Sequence, residues 1–193
     1  MQKKHRLIIG ISGASGITYG VRMLQVLQHS EIETHLVVSN AAKLTLQAEL
    51  DKKLQDITAL ADVSYPIADI GAAIASGSFK TLGMVVAPCS IKTMSEIATG
   101  ITSTLLSRAA DVVLKERRKL VLMVRETPFH TGHLQTMLRL SEMGAIIAPP
   151  LPAFYPRPHH IDALIDHSVG RVLDLFDIDT ELVNRWQGIK NHH

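Results

Sequence analysis

A chain of 193 residues, 46% of them hydrophobic, carries enough apolar material for one well-buried domain, and no low-complexity stretch marks a linker. Its 20 basic and 18 acidic residues are spread along the sequence for a formal net charge of +2, with no basic block or tail of the kind nucleic acid attracts, so any phosphate recognition is expected to be local. The single cysteine allows no internal disulfide, Met1 to Arg6 contains no signal-peptide core, and no apolar run approaches the ~20 residues of a membrane-spanning helix; a cytoplasmic home is expected, with the aliphatic residues buried in a core and between subunits.

The apolar run Leu7-Ile8-Ile9 leads into Gly10-Ile11-Ser12-Gly13-Ala14-Ser15-Gly16 and then into an amphipathic segment, Ile17 to Gln28: a strand, a small-residue turn and a helix start. Glycines let the backbone approach a ligand closely, and the helix start offers unpaired N–H groups to an anion, so Gly13, Ala14 and Ser15 read as a phosphate cradle. The dinucleotide fingerprint needs a glycine where Ser12 stands, and the P-loop needs Gly-Lys-Ser/Thr at its end; neither is present. The second strand, Thr34 to Val38, ends in Ser39-Asn40 where an NAD site places an acidic residue, so a ribityl phosphate such as FMN fits better. An ordinary tight strand-to-helix turn is the alternative for this motif alone.

Ala41 to Leu50 reads as a helix with Glu49 near its end, either a solvated carboxylate or one turned towards a ligand. Between residues 51 and 82 one short strand is expected near Asp62 to Tyr65, and Ser76-Gly77-Ser78 is a loop. Met84 to Ala87 is a buried strand running into Pro88-Cys89-Ser90-Ile91-Lys92-Thr93, a second polar turn at a strand's carboxyl end. Cys89 fits a small buried hydrophobe better than a nucleophile, whereas Ser90 and Thr93 are better candidates, with hydroxyls and amides at that turn to meet a flavin's polar edge or phosphate.

Thr102 to Arg118 is expected to be one long helix, with Arg108 and Lys115 two turns apart on one face. The next strand, Leu120 to Val124, ends in Arg125-Glu126, an arginine and a carboxylate where open α/β sheets place ligand groups. His130 and His133 lack the further donors of a convincing metal set and fit a helix start. A helix from Leu134 to Met143, a strand from Ala145 to Ala148, a stiff proline-rich loop holding Tyr155, a closing helix from Ile161 to Phe176 carrying Arg171, and a short segment with Arg185-Trp186 complete the chain. Buried apolar runs alternating with helical segments imply an α/β fold: a single doubly wound domain over residues 1 to 193, Rossmann-like or flavodoxin-like, with a mainly parallel sheet.

Taken in order, Gly13-Ala14-Ser15-Gly16, Pro88-Cys89-Ser90, Arg108-Ala109-Ala110-Asp111-Val112, Leu114-Lys115-Glu116-Arg117-Arg118, Arg125-Glu126-Thr127-Pro128 and Pro152-Ala153-Phe154-Tyr155 resemble the UbiX family of flavin prenyltransferases from about Arg6 to Trp186. The resemblance implies transfer of a dimethylallyl group from dimethylallyl monophosphate to N5 and C6 of reduced FMN, without a metal, to supply a UbiD-type decarboxylase, in many bacteria for ubiquinone synthesis. It implies a homo-oligomer, a dodecamer with sites between subunits, for which Ile70 and Ala72 to Ala75 are expected to supply apolar surface.

Carried over residue by residue, Gly13 to Ser15, Ser39, Ser90 to Thr93 and Arg125 look like FMN contacts. Tyr155 and Arg171 look like dimethylallyl phosphate contacts, with Lys115, Arg125 and Arg108 adding charge. Cations there would stabilise the departing phosphate in place of a metal. Glu126 looks like the acid/base residue, Ser15 a proton relay and Glu49 a second carboxylate. Some members carry a tryptophan where this chain has Ile70, which would exchange aromatic for aliphatic packing on the prenyl group. An FMN-dependent decarboxylase of the same fold and a non-catalytic FMN carrier are the competing readings.

Overall fold

The computed structural model of the protein describes residues 5 to 188, so both extremities of the expected 1 to 193 domain, Met1 to Lys4 and the terminal Asn191-His192-His193 among them, lie outside the described residues. Six strands, β1 (His5–Ile11), β2 (Ile32–Val38), β3 (Val63–Tyr65), β4 (Gly83–Cys89), β5 (Lys119–Val124) and β6 (Ala145–Ile147), form one sheet in the order β3-β2-β1-β4-β5-β6. Every neighbouring pair is parallel. Parallel strands need crossovers, and the crossovers bury both faces, which is why β4 is apolar and buried along its whole length.

Alternate side chains sort into two cores. Leu7, Ile9 and Ile11 of β1 join Val85, Ala87, Val121 and Met123 on the face covered by α1 (Ile17–Leu27) and α7 (Ile161–Asp174). Ile8, Met84, Val86, Leu120 and Leu122 face α4 (Ile91–Thr99) and α5 (Leu105–Lys115). The remaining helices are α2 (Asn40–Leu50), α3 (Leu54–Thr58) and α6 (Thr131–Glu142). No helix among the described residues is long and apolar enough to cross a membrane.

Capping chemistry moves several boundaries from those expected. Residues 91 to 93, expected in a turn, form the first turn of α4, because Ser90 accepts from the Thr93 amide at 3.2 Å. The helix expected over 102 to 118 is trimmed at both ends: Thr104 caps it through the Ser107 amide at 3.3 Å, and Arg117 takes a left-handed φ of 57° just past its end. α6 starts before Leu134, with the His130 ring accepting from the Gly132 amide at 3.1 Å. The alanine-rich stretch expected at the surface is so only in part: Ala72 and Ile74 are buried in the second core and Ala75 is half-buried, while Ala73 and Ile70, the latter 60% exposed, remain available.

Strand direction divides the molecule into two edges. The carboxyl ends of β1, β2, β4 and β5 lie together along one. α5 starts near that edge, where the Leu105 amide bonds Ile67 O at 2.9 Å just beyond β3, and runs back towards the amino edge, delivering the chain to Lys119 at the start of β5. α7 ends at the amino edge too, since Lys119 Nζ donates to Leu175 O at 2.6 Å.

Candidate functional site

β1 and β4 are adjacent although the chain leaves them in opposite directions, so their carboxyl ends flank the crevice in which doubly wound sheets bind ligands. Pro88 lies in this central strand and has no N–H for the ladder; the β4–β5 register shifts between Val86 and Cys89 as a result. The Pro88 carbonyl instead accepts from Ser12 N at 3.2 Å and Ser12 Oγ at 2.8 Å, while Ser12 Oγ accepts from Ser90 N at 2.7 Å. Ser12 is fully buried, a hydroxyl stitch across the crevice. The sequence reading used Ser12 only to exclude a dinucleotide; its signal was a hydroxyl closing an apolar strand. Ser12→Ala should lower stability by about 1–3 kcal/mol, because the Ser90 N–H loses its acceptor. A urea midpoint unchanged from wild type would show that the stitch contributes nothing.

Two helices begin beside the stitch. Ser39 accepts from the Ala42 amide at 3.1 Å to start α2, and Ser90 starts α4 in the same way. Each cap satisfies one amide, and helix geometry leaves the first N–H groups, those of Asn40 and Ala41 and of Ile91 and Lys92, without intrahelical acceptors. A cavity of about 290 Å³ lies between the two termini, lined by Ser39, Asn40, Ser90, Lys92 and Thr93, with Ile67 and Leu106 as its apolar wall and Glu96 on its rim pairing with Lys92 at 2.8 Å. With Lys92 already paired to Glu96, the anion site is made by the hydroxyls and free helix amides, and these beside an aliphatic wall suit a phosphate on a polyol attached to a flat ring, so the residues fit FMN. Gly13 abuts α2 directly: a β-carbon there would lie 2.4 Å from Ala41 Cβ.

The start of α1 behaves differently from the expected phosphate cradle. α2 brings Glu49 back over it, and the carboxylate accepts from Gly16 N at 2.9 Å and Ile17 N at 3.1 Å. An anion already satisfies that helix terminus, so an incoming phosphate has its free amides at α2 and α4. Gly13, Ala14 and exposed Ser15 remain on the rim of the crevice.

Arg125 and Glu126 are exposed at the end of β5, next to the same edge, with Arg125 N held by Cys89 O at 3.1 Å. Burial pushes the Tyr19 phenol up and the Arg125 guanidinium opposes it, placing Arg125 within electrostatic range of α1. Glu126 Oε1 accepts from Thr127 N at 3.0 Å. Cys89 is fully buried and burial pushes its thiol up, the setting of a core residue rather than a nucleophile.

The remaining expected site residues form two further patches. Arg108, on α5, pairs with Asp111 at 2.8 Å. Lys115, at the far end of α5, pairs with Glu116 and packs on the Ser76 to Ser78 loop, which Arg118 fixes through Gly77 O at 2.7 Å and Phe79 O at 2.8 Å. This lysine therefore lies towards the end of the sheet at which β5 starts, whereas Arg125 follows the end of that strand. Tyr155 and Arg171 lie beside α7: the phenol bonds His167 Nε2 at 2.8 Å and Arg171 bonds Asp174 at 2.8 Å. His167, buried and missed by the sequence reading, is held below the ordinary histidine range by burial and then by Arg171, so the partner of Tyr155 is the neutral ring. One chain thus brings Gly13 to Ser15, Ser39, Glu49, Ser90 to Thr93, Arg125 and Glu126 to the carboxyl edge, sets Arg108 and Lys115 along α5, and gathers Tyr155 and Arg171 into a cluster of their own with His167 and Asp174.

A family model described as Flavoprotein matches residues 1 to 186. The flavin prenyltransferase UbiX of Escherichia coli (strain K12) is 60% identical over 186 residues, spanning 95% of this chain and 98% of the relative. The crystal structure of AnUbiX (PadA1) in complex with FMN and dimethylallyl pyrophosphate superposes with a TM-score of 0.95 at 46% identity, covering 97% of this chain and all of that one. A dodecameric FMN-dependent UbiX-like decarboxylase from Escherichia coli O157:H7 gives 0.92 at 50% identity over 95% of this chain and all of its own.

Proposed function

From the premise that this chain belongs to the Flavoprotein family, and within it to the UbiX flavin prenyltransferases, we propose how its own residues carry out transfer of a dimethylallyl group to reduced FMN. The observation that carries the proposal is one cavity suited to a flavin accompanied by separate cationic patches around Lys115 and Arg171, which a flavin carrier would have no use for.

The residues that would hold FMN are Ser39 and Ser90 with the free amides beside them, which would take its phosphate, and Arg125 at the end of β5. When bound, reduced FMN supplies the nucleophilic N5 and C6 positions that receive the prenyl group. The donor is dimethylallyl monophosphate, gripped by Tyr155 and Arg171 with charge added by Lys115, Arg108 and Arg125. A monophosphate leaves only when its developing charge is offset, and fixed guanidinium and ammonium groups offset it more strongly in the transition state than in the bound donor. Glu126 Oε2 takes or returns the proton exchanged at the flavin, with the Ser15 hydroxyl as relay, and Glu49, already engaged with α1, holds the Gly13 to Ser15 turn against the acceptor.

Because the three patches lie apart in one chain, the complete site needs neighbouring copies. The dodecameric relative supports such an assembly, and Leu151, Phe154 and Ile161, at 76%, 72% and 74% exposed around Tyr155, supply apolar contact for it. We assign the product to a UbiD-type decarboxylase, with ubiquinone synthesis as the pathway and the reducing cytoplasm as the location. Purified protein given reduced FMN and dimethylallyl monophosphate should return flavin heavier by one dimethylallyl group. Bound but unaltered flavin would favour the carrier, and carbon dioxide release from an aromatic or peptidyl-cysteine acid would favour the decarboxylase.

A further inference from the structure

The segment after α7 folds back onto that helix. Gly170 is the point of contact: a β-carbon there would meet Val183 Cγ2 at 2.6 Å and Leu182 Cβ at 3.1 Å, so the returning chain seats on the helix backbone itself. This seat brings Arg185 over Asp174 as a fork, Nη2 to Oδ1 and Nη1 to Oδ2, both at 3.0 Å. Asp174 Oδ2 also accepts from Arg171 Nη1 at 2.8 Å. One residue further, the Trp186 ring meets Tyr155 edge-on with centroids 5.7 Å apart.

Asp174 is only 14% exposed, and Arg185 first, then Arg171, hold its carboxyl below the usual range. It is a charged carboxylate placed directly beside a group expected to receive another anion. Paired with Arg171 alone, it would cancel that guanidinium and repel a phosphate. Shared with Arg185, it leaves the trio with one net positive charge, while its second oxygen is occupied and cannot turn outwards. Asp179, 3.6 Å from Arg185 and 80% exposed, is screened by solvent and changes this balance little.

We infer that Arg185 is a positioning residue for the prenyl donor: by sharing Asp174 it keeps the charge and remaining N–H groups of Arg171 available to a monophosphate, so the segment returning over α7 sets donor affinity. This rests on Arg171 being a donor contact, as proposed above, and the test separates the two claims.

Initial rates are measured with reduced FMN and varied dimethylallyl monophosphate. Arg185→Gln, which removes the charge at similar size, should raise KM for the donor roughly five- to tenfold, with kcat at saturation and FMN affinity nearly unchanged. Two readouts distinguish this from mere loosening. The defect should shrink in 1 M salt, and Asp174→Asn combined with Arg185→Gln should recover most of the donor affinity by restoring the net charge. Arg185→Lys, which keeps the charge but gives up one prong of the fork on Asp174, should raise KM by only about two- to threefold, clearly less than Arg185→Gln. A wild-type KM in Arg185→Gln, no recovery in the double variant, or an equal loss in Arg185→Lys would each overturn the inference. Arg171→Ala is the control: if it alone leaves KM unaltered, the donor assignment of Arg171 is what fails.

Discussion

Glu126→Gln should slow formation of the prenylated flavin on the order of 100-fold to 10,000-fold at saturating donor, while FMN affinity stays within about twofold. The substitution is close to isosteric, and the contact that fixes the side chain, Thr127 N–H to Oε1 at 3.0 Å, can be kept by the amide oxygen. What disappears is the basicity of Oε2. The residue is exposed at the end of β5, so neither packing nor a buried ion pair is lost, and a stability change beyond about 0.5 kcal/mol is not expected. A deficit independent of donor concentration therefore isolates proton transfer, whereas loss of a phosphate contact would be partly relieved by more donor. Turnover at the wild-type rate across pH 6 to 9 would remove Glu126 from the chemistry.

Gly13→Val should abolish FMN binding at micromolar concentration, a loss of at least about 100-fold. Even the first added carbon falls 2.4 Å from Ala41 Cβ and 2.9 Å from the Ala41 carbonyl carbon, and the second of these belongs to the backbone. Relief requires the start of α2 to move away from β1, which displaces Ser39 and the amides of Asn40 and Ala41 from one wall of the cavity. The packing strain alone is worth about 1–3 kcal/mol of stability, so the chain should remain folded near room temperature while its cofactor site is open. Flavin fluorescence titration measures the effect, with circular dichroism reporting the fold. An affinity within a factor of three of wild type would mean that α2 does not bound the flavin site.

The sheet was legible because buried parallel strands are continuous apolar runs, and Leu7-Ile8-Ile9, Met84 to Ala87 and Leu120 to Val124 carry that signature without ambiguity. Residues 51 to 82 were legible only in the short strand expected near Asp62 to Tyr65, found as β3, since α3 and the 3₁₀ turn at Ala73 to Ala75 have almost no periodicity and gain their order from burying Ile57, Ala72 and Ile74. Helix ends were misjudged where a capping side chain decided them, as at Ser90, Thr104 and His130. In the site, the resemblance supplied residues by position, but spacing along a helix concealed geometry. Arg108 and Lys115 share a face in sequence, yet α5 carries Lys115 to the amino edge. His167 and Asp174, and the stitching role of Ser12, are not legible in the sequence because each acts by holding another group, a role visible only once its partner has a position.

That division of the site between the carboxyl edge of the sheet and the cluster beside α7 has an arithmetic consequence for mixed populations. Chains carrying Glu126→Gln retain an intact Tyr155–Arg171 patch, and chains carrying Tyr155→Phe with Arg171→Ala retain an intact Glu126. Each preparation alone should be nearly inactive. If the two halves of every site come from different copies, co-assembly in equal amounts pairs a sound acceptor half with a sound donor half in about one site in four, so roughly a quarter of wild-type activity should reappear on mixing unfolded chains and refolding them together. Two dead proteins would make a live one, in a proportion that follows the binomial as the mixing ratio is varied. Activity that stays at the level of the parents at every ratio would mean that a single copy supplies both halves.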